Sequence, residues 1–465
     1  MGFFLTVVYF LVYFLTPTYL FGPLAHFRIE LILAVLILVV SLPELMRSYV
    51  FKTPQTIALA GLSFAVSCSI LFGMHWPGGA VHVFFDFLPN IYAYFLVCLH
   101  CNSKRRLEIL ILMLLFVCLL VETRGASDLL HGLPPGGPPI NPQTGTMDKD
   151  VWNAGHPFLL PMKSDTGEFF YRLRGLGEIN DPNDFGQILV CEIPLLFLFW
   201  RPKKNIRNFA FVILPSCLLL VAIYLTHSRG ALVALAAVVL VAARRRIGAV
   251  AAVVVAGGLL AGALALQFTG GRALSVGAGE ERTALWGGGL QILKSYPLFG
   301  VGFNQLADYI GQTAHNSIVV CVAELGLFGL FFWALFLLAT ARSTLQIALP
   351  QNVQEAEITE ADENPSLFTV WKGPALNKAE TNRVGHCLLL CLTGFLVAGC
   401  FLSRAFVLTF FLLGGMVEVI YEAVRRRGMV ATRLPLKRLL VYSAELTVAL
   451  VAAVYCMLRI LNMMH

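Results

Sequence analysis

Apolar runs of near 20 residues, separated by short polar connections, recur along the whole chain. Each is long enough to cross a hydrocarbon core of about 30 Å as an α-helix, which satisfies its own backbone hydrogen bonds there. The polar positions do not alternate with a period of two, so a β-barrel is set aside. The pattern predicts about thirteen spans: 3–22, 29–46, 55–74, 80–99, 106–122, 182–200, 208–226, 229–243, 247–267, 315–341, 385–403, 405–424 and 439–461. The expected fold class is an all-α polytopic membrane protein of about 12–13 transmembrane helices.

Composition agrees with that pattern. Of 465 residues 58% are hydrophobic and 13% charged, against about 25% charged in soluble domains; mean hydropathy is +0.76. The first run, Phe3 to Phe21, has no basic residue ahead of it and no small-residue cleavage site behind it. It reads as a span and not as a removable signal peptide. All cysteines but Cys101 lie within apolar runs, so neither a disulfide framework nor a zinc site is expected.

Charge then orders the connections. Basic residues collect in every second one: Arg47 and Lys52; Lys104, Arg105 and Arg106; Arg201, Lys203, Lys204 and Arg207; Arg244, Arg245 and Arg246; Arg342 through Arg383; Arg425 through Arg438. The positive-inside rule turns these, and the N-terminus, toward the cytoplasm. That sorting explains most of the net charge of +7, and no nucleic-acid partner is implied. The chain divides into N-terminal spans (1–122), an outward Pro/Gly-rich loop (123–181), central spans (182–267), a second outward segment (268–314), a span (315–341), a cytoplasmic loop (342–384) and C-terminal spans (385–465). Within the cytoplasmic loop, QNVQEAEITEADENPSLF is acidic, weakly patterned and expected to be mobile.

The second outward segment organises the rest. It carries Glu280, Glu281 and Arg282, passes the glycines of YPLFGVGF and re-enters an apolar run at AHNSIVVCVAELGLFGLFF, with His315 at the boundary. An imidazole where a membrane helix meets water touches a lipid-borne and a soluble substrate at once. Outward arginines gather against the topological bias: Arg172, Arg174, Arg229, Arg272, Arg282 and Arg404. An arginine near the membrane core costs up to about 2.5–3.5 kcal/mol, so a group of them calls for a compensating anion, and the guanidinium fork suits phosphate. Snorkelling, or pairing with Glu178, Asp181, Glu280 and Glu281, is the structural alternative.

Arg229 stands in LTHSRGALVAL, pinned by a turn of a few residues, with His227 and Ser228 reading first as turn and capping residues. Trp286, one turn beyond Arg282 on a helix expected to lie along the outer surface, reads as a headgroup anchor or a sugar-stacking ring. His315 has the alternative of capping the helix that it begins. Asp86, Glu192, Glu324 and Glu418 lie inside runs, with no basic residue mid-span to complete a proton relay. Glu324, half a helical turn out of phase with His315, reads as a packing residue.

THSRGALVAL, the stretch from ERTALW to PLFGVGF, and AHNSIVVCVAELGLFGL, in that order, resemble the O-antigen ligase and O-antigen polymerase superfamily of bacterial inner-membrane glycosyltransferases. GEINDPNDFGQILV resembles it too. The likeness covers residues 170–340 and elsewhere extends only to hydropathy. It implies a multi-pass protein of the bacterial inner membrane, with outward loops capping an active site that faces the periplasm. There a glycan passes from a polyprenyl (undecaprenyl) diphosphate to an acceptor hydroxyl on a lipid, a growing glycan or a protein, without nucleotide, metal or other cofactor. Residue by residue, Arg229, Arg282 and His315 match the catalytic positions, and Arg172, Arg174, Asn316 and Trp286 are the substrate-binding candidates. The arginines would hold the diphosphate while the histidine activates or orients the acceptor. Gly287 to Gly289, the Pro/Gly loop, the acidic insert and the thirteenth span depart from a simple twelve-span pattern. A transporter or flippase of lipid-linked glycans is the competing class; it calls for internal repeats and broken helices near the midplane, and the sequence shows no clear repeat.

Overall fold

The computed structural model describes residues 1–20, 27–133, 137–140, 147–164, 167–265, 268, 276–349, 371–374 and 376–463. Arg272 and the acidic insert expected to be mobile lie outside them. Every predicted span coincides with helix. Among the described residues, nine helices are long and apolar enough to cross a membrane. The other four expected spans differ for visible reasons. Gly2–Leu15 and Ala249–Ala265 are short; Arg229–Ile247 closes on Arg244, Arg245 and Arg246; Leu408–Arg425 carries Glu418, Glu422 and Arg425. The helix predicted to stop at 122 runs on as Lys104–His131, because ETRGASDLLH contains no proline and the break comes only at the HGLPP stretch. Sheet among the described residues is a single antiparallel hairpin, β1 (Leu159–Lys163) with β2 (Phe169–Leu173), inside the Pro/Gly-rich loop.

The chain forms two compact units, Met1–Val40 with Glu108–Leu274 and Leu390–Ala398, and Ser41–Leu107 with Ser275–Leu389 and Gly399–His465. In the first, Pro182–Leu196 packs on Leu214–Thr226 and Arg229–Ile247. In the second, Ser317–Ala348 packs against Pro54–Cys68, Leu408–Arg425 and Leu436–Met463. A ring cluster closes its core: Phe336 lies 5.0 Å from Phe410 and 5.2 Å from Phe411, and Phe87 lies 5.8 Å from Phe411. Such pairs add about 0.5–1.5 kcal/mol each beyond their buried area.

The helix after His315 is not continuous. Ser317–Ala348 is broken at Gly326, whose φ of 65° and ψ of −167° interrupt the ladder. A break inside an apolar helix strands carbonyls before it and N–H groups after it, and these must find partners. The PLFGVG segment supplies them. Val301 N–H donates to Ala323 O (3.0 Å) and Gly302 N–H to Glu324 O (3.1 Å), while Leu327 N–H reaches Pro297 O (2.9 Å) and Phe328 N–H reaches Leu298 O (3.1 Å). The approach is too close for side chains: a Cβ on Gly326 would sit 2.3 Å from Leu298 O, and one on Gly300 would sit 2.4 Å from Glu324 O. The glycines of YPLFGVGF and ELGLFG are therefore two halves of one backbone crossing. The Glu324 carboxylate joins in, accepting from Leu306 N–H at 3.4 Å. It holds the returning loop, a role more specific than the packing expected of it.

Glu418 also differs from expectation. It is fully buried, and its partner is Arg433 from the connection that follows its helix. Arg433 also reaches Glu422 at 3.0 Å, and Arg425 and Arg426 reach Glu422 at 2.9 and 2.8 Å. Burial works against the charge of Arg433, but the two carboxylates outweigh it and raise its pKa further, so it stays ionised. The expected lack of a basic partner held only for the span itself; the arginine folds back from outside it.

Candidate functional site

In the first unit the SRG turn and the DPN helix meet. Leu214–Thr226 ends with His227 in the left-handed region (φ 49°). Arg229–Ile247 begins two residues later, capped by Ser228 Oγ, which accepts from Ala231 N–H at 3.3 Å. Asp181 caps Pro182–Leu196 by accepting from Asn183 N–H at 2.7 Å. Gly186 lets the two helix starts touch, since a Cβ there would lie 2.8 Å from the Ala231 Cβ. Arg172 on β2 bridges them: Nε donates to Thr226 O (2.8 Å) and Nη2 to Asn183 Oδ1 (2.9 Å). The residue is 4% exposed. The buried guanidinium of this substrate-binding candidate thus also braces the turn that carries Arg229. Arg174 donates to Pro157 O at 3.0 Å and to Asn153 Oδ1. Arg172 Nη1 also donates to Met162 Sδ (3.5 Å), and the side chains of Glu178, Glu280 and Glu281 lie outside the described residues. His227 is a turn residue, with Nδ1 2.7 Å from Phe268 O and the ring edge-on to Phe170.

In the second unit the structure is organised around His315. Its φ is 48°, the left-handed region, which costs a residue with a Cβ about 1–2 kcal/mol. The strain is tolerated because neighbours fix the backbone on both sides. Trp286 Nε1 donates to the carbonyl of Ala314 (2.8 Å), and the N–H of His315 donates to Ser403 Oγ (2.8 Å). Asn316 then starts the helix: its Oδ1 accepts from Ile318 N–H (2.9 Å) and Val319 N–H (3.2 Å), and its Nδ2 donates to Cys400 O (3.3 Å). Ser317 Oγ donates to Leu402 O (2.8 Å) and accepts from the Arg404 N–H (3.1 Å). The loop from 400 to 404 is laced to the start of this helix, bringing Arg404 and His315 to the same place.

The geometry adds to three expectations here. His315 is not the cap of its helix, because Asn316 is. Asn316, a substrate-binding candidate, is buried, caps the helix and donates to Cys400 O. Trp286, read as a headgroup anchor or a sugar-stacking ring, is 6% exposed and packed with Ala314, Val319 and Val320. Its indole N–H ties the helix Val276–Ser295 to the residue before His315, and Arg282 stands one turn earlier on that helix. Ser403 escaped sequence reading, since nothing in SRAF marks a serine whose partner lies 88 residues away.

One further constellation has the look of chemistry. Ser41 Oγ lies 2.7 Å from His100 Nε2, and His100 Nδ1 lies 3.2 Å from Glu44. Ser41 is 2% exposed and sits within a regular helix, so it offers no open face to an incoming carbonyl. The three residues clamp one helix end to another.

The fold and the order of these motifs define a multi-pass helical membrane protein whose candidate residues cluster at two turns, at Ser228 and at His315. Residues 214–334 match the family described as O-Antigen ligase. That stretch runs from the helix before the Ser228 turn into the helix after His315, and it takes in Arg229, Arg282, Trp286 and Asn316. That match agrees with the likeness to the O-antigen ligase and polymerase superfamily that the motifs carry. A comparison with curated proteins returns no match.

Proposed function

We propose that the protein transfers a glycan from a polyprenyl diphosphate to an acceptor hydroxyl on the periplasmic face of the bacterial inner membrane, without nucleotide or metal. The observation that carries this reading is the conformation of His315. A strained backbone held by Trp286 and Ser403 on either side marks a side chain whose placement matters. In the proposed reaction His315 takes the proton of the acceptor hydroxyl as its oxygen attacks the anomeric carbon. The bond from that carbon to the diphosphate breaks, and polyprenyl diphosphate leaves with both electrons. Arg229 and Arg282 stabilise the charge that gathers on the leaving group, and Arg174 assists in holding the donor. Arg172, Trp286 and Asn316 keep these residues in place.

The test is purified protein with a polyprenyl-diphosphate glycan and three acceptors (a lipid core sugar, a growing glycan and a protein hydroxyl), with and without chelator. Transfer persists with chelator and falls by about 10²–10⁴ in His315→Ala. The acceptor used separates ligase, polymerase and protein glycosyltransferase. Glycan crossing liposomes unchanged would instead establish the transporter class.

A further inference from the structure

The second unit carries a groove of about 660 Å³ between the helices Val276–Ser295, Ser317–Ala348 and Leu436–Met463, remote in role from the His315 clamp. Its wall is apolar, with Leu290, Leu327, Val448 and Leu458 among the lining residues, and it contains no carboxylate. The last helix runs antiparallel to its neighbour: Ser443 Oγ donates to Phe331 O, while Val454 and Leu458 pack with Val319 and Ala323. Lys294 therefore stands toward the Leu327 end of the groove and Arg459 toward the His315 end, about two helical turns or 11 Å away.

Gly287 explains why there is space. In the Gly287 to Gly289 run, a Cβ on Gly289 would lie 2.4 Å from Val319 and one on Gly288 3.1 Å from Ile310, whereas one on Gly287 would meet nothing within 4 Å. Two of these glycines permit close packing and the third leaves the groove open. The outer side of the groove is equally bare: Val448 is 69% exposed on a helix apolar enough to span a membrane. Arg459 is exposed on the same helix and held in place, its Nε donating to Tyr455 OH at 3.1 Å with the guanidinium 5.5 Å from the centroid of that ring. A fixed arginine and a lysine beside a bare apolar trough, on a helix facing hydrocarbon, call for an anion that brings its own apolar chains.

We propose that this groove binds an anionic glycerophospholipid of the surrounding bilayer, with an acyl chain in the trough and the phosphate shared by Lys294 and Arg459. The proposal is independent of the reaction assigned to His315. It is tested by measuring affinity of the purified, delipidated full chain for phosphatidylglycerol and phosphatidylcholine of the same acyl chains, by native mass spectrometry. Two cations contributing at a membrane surface favour the anionic lipid by about thirtyfold. The Lys294→Gln/Arg459→Gln variant loses that preference. Gly287→Leu, which the open space accommodates, weakens both lipids by filling the trough. Thermal unfolding in detergent without lipid stays at the wild-type temperature for both variants, which separates lost binding from lost folding. Equal affinity of the wild type for the two lipids, or an unchanged preference in the double glutamine variant, overturns the proposal. So does displacement of phosphatidylglycerol by equimolar polyprenyl phosphate, which would assign the trough to an isoprenoid chain.

Discussion

Trp286→Phe isolates the clamp on His315. The substitution keeps an aromatic ring in the pocket formed with Ala314, Val319 and Val320 and removes only the indole N–H, leaving the buried carbonyl of Ala314 without its donor. An unsatisfied buried acceptor costs about 1–3 kcal/mol, and the left-handed backbone of His315 stores a comparable strain. With the carbonyl released, that strain favours relaxation, and the share of molecules with a correctly placed imidazole falls by about 5- to 150-fold. The assay is steady-state transfer from a polyprenyl-diphosphate glycan, with kcat and KM determined separately. Turnover should drop about tenfold or more while KM for the donor holds within about twofold, since Trp286 positions the histidine and does not hold the donor. Ser403→Ala, acting on the other side of the same residue, should behave alike. Unchanged kcat in Trp286→Phe, beside a dead His315→Ala, would refute the clamp and leave the role of His315 intact. An active His315→Ala would refute the reaction itself.

Gly326→Ala places a Cβ 2.3 Å from Leu298 O at a backbone angle of φ 65°. Left-handed strain alone costs about 1–2 kcal/mol, and with the clash a lowered unfolding temperature and yield are expected; wild-type stability would contradict the crossing. Arg433→Gln leaves Glu418 buried without its cation and should destabilise by about 3–5 kcal/mol, read as a fall in unfolding temperature in detergent. Replacing Glu418 and Arg433 together with methionine should recover most of that loss; no recovery would mean that the pair does more than neutralise itself.

The spans were legible because their signal is local. Twenty apolar residues in a row carry the same message wherever they lie, and the helix after His315 was found within two residues of its start. Local signals fail where partners are distant. Nothing in AELGLFGLFF shows that hydropathy runs through a break, because the groups that repair it belong to PLFGVG, a separate outward segment. Arg433 was sorted with the cytoplasmic basic residues although its contacts lie with Glu418 inside a helix. At the candidate site, sequence order located the turns of Arg229 and His315 but not the division of labour around them. Arg172, Asn316 and Trp286 read as ligand residues because they are polar or amphipathic beside motifs, with no sign in the sequence of the burial that also ties each to the frame.

The backbone crossing at Gly326 bears on how the nascent chain enters the bilayer. A helix with an open break is a poor candidate for release into lipid by itself, since four main-chain groups would arrive there unpaired. The segment that pairs them is encoded upstream, so ribosomal order delivers the mate first and the interrupted helix second. Reversing that order by circular permutation would oblige the interrupted helix to partition into the membrane before its complement had been synthesised.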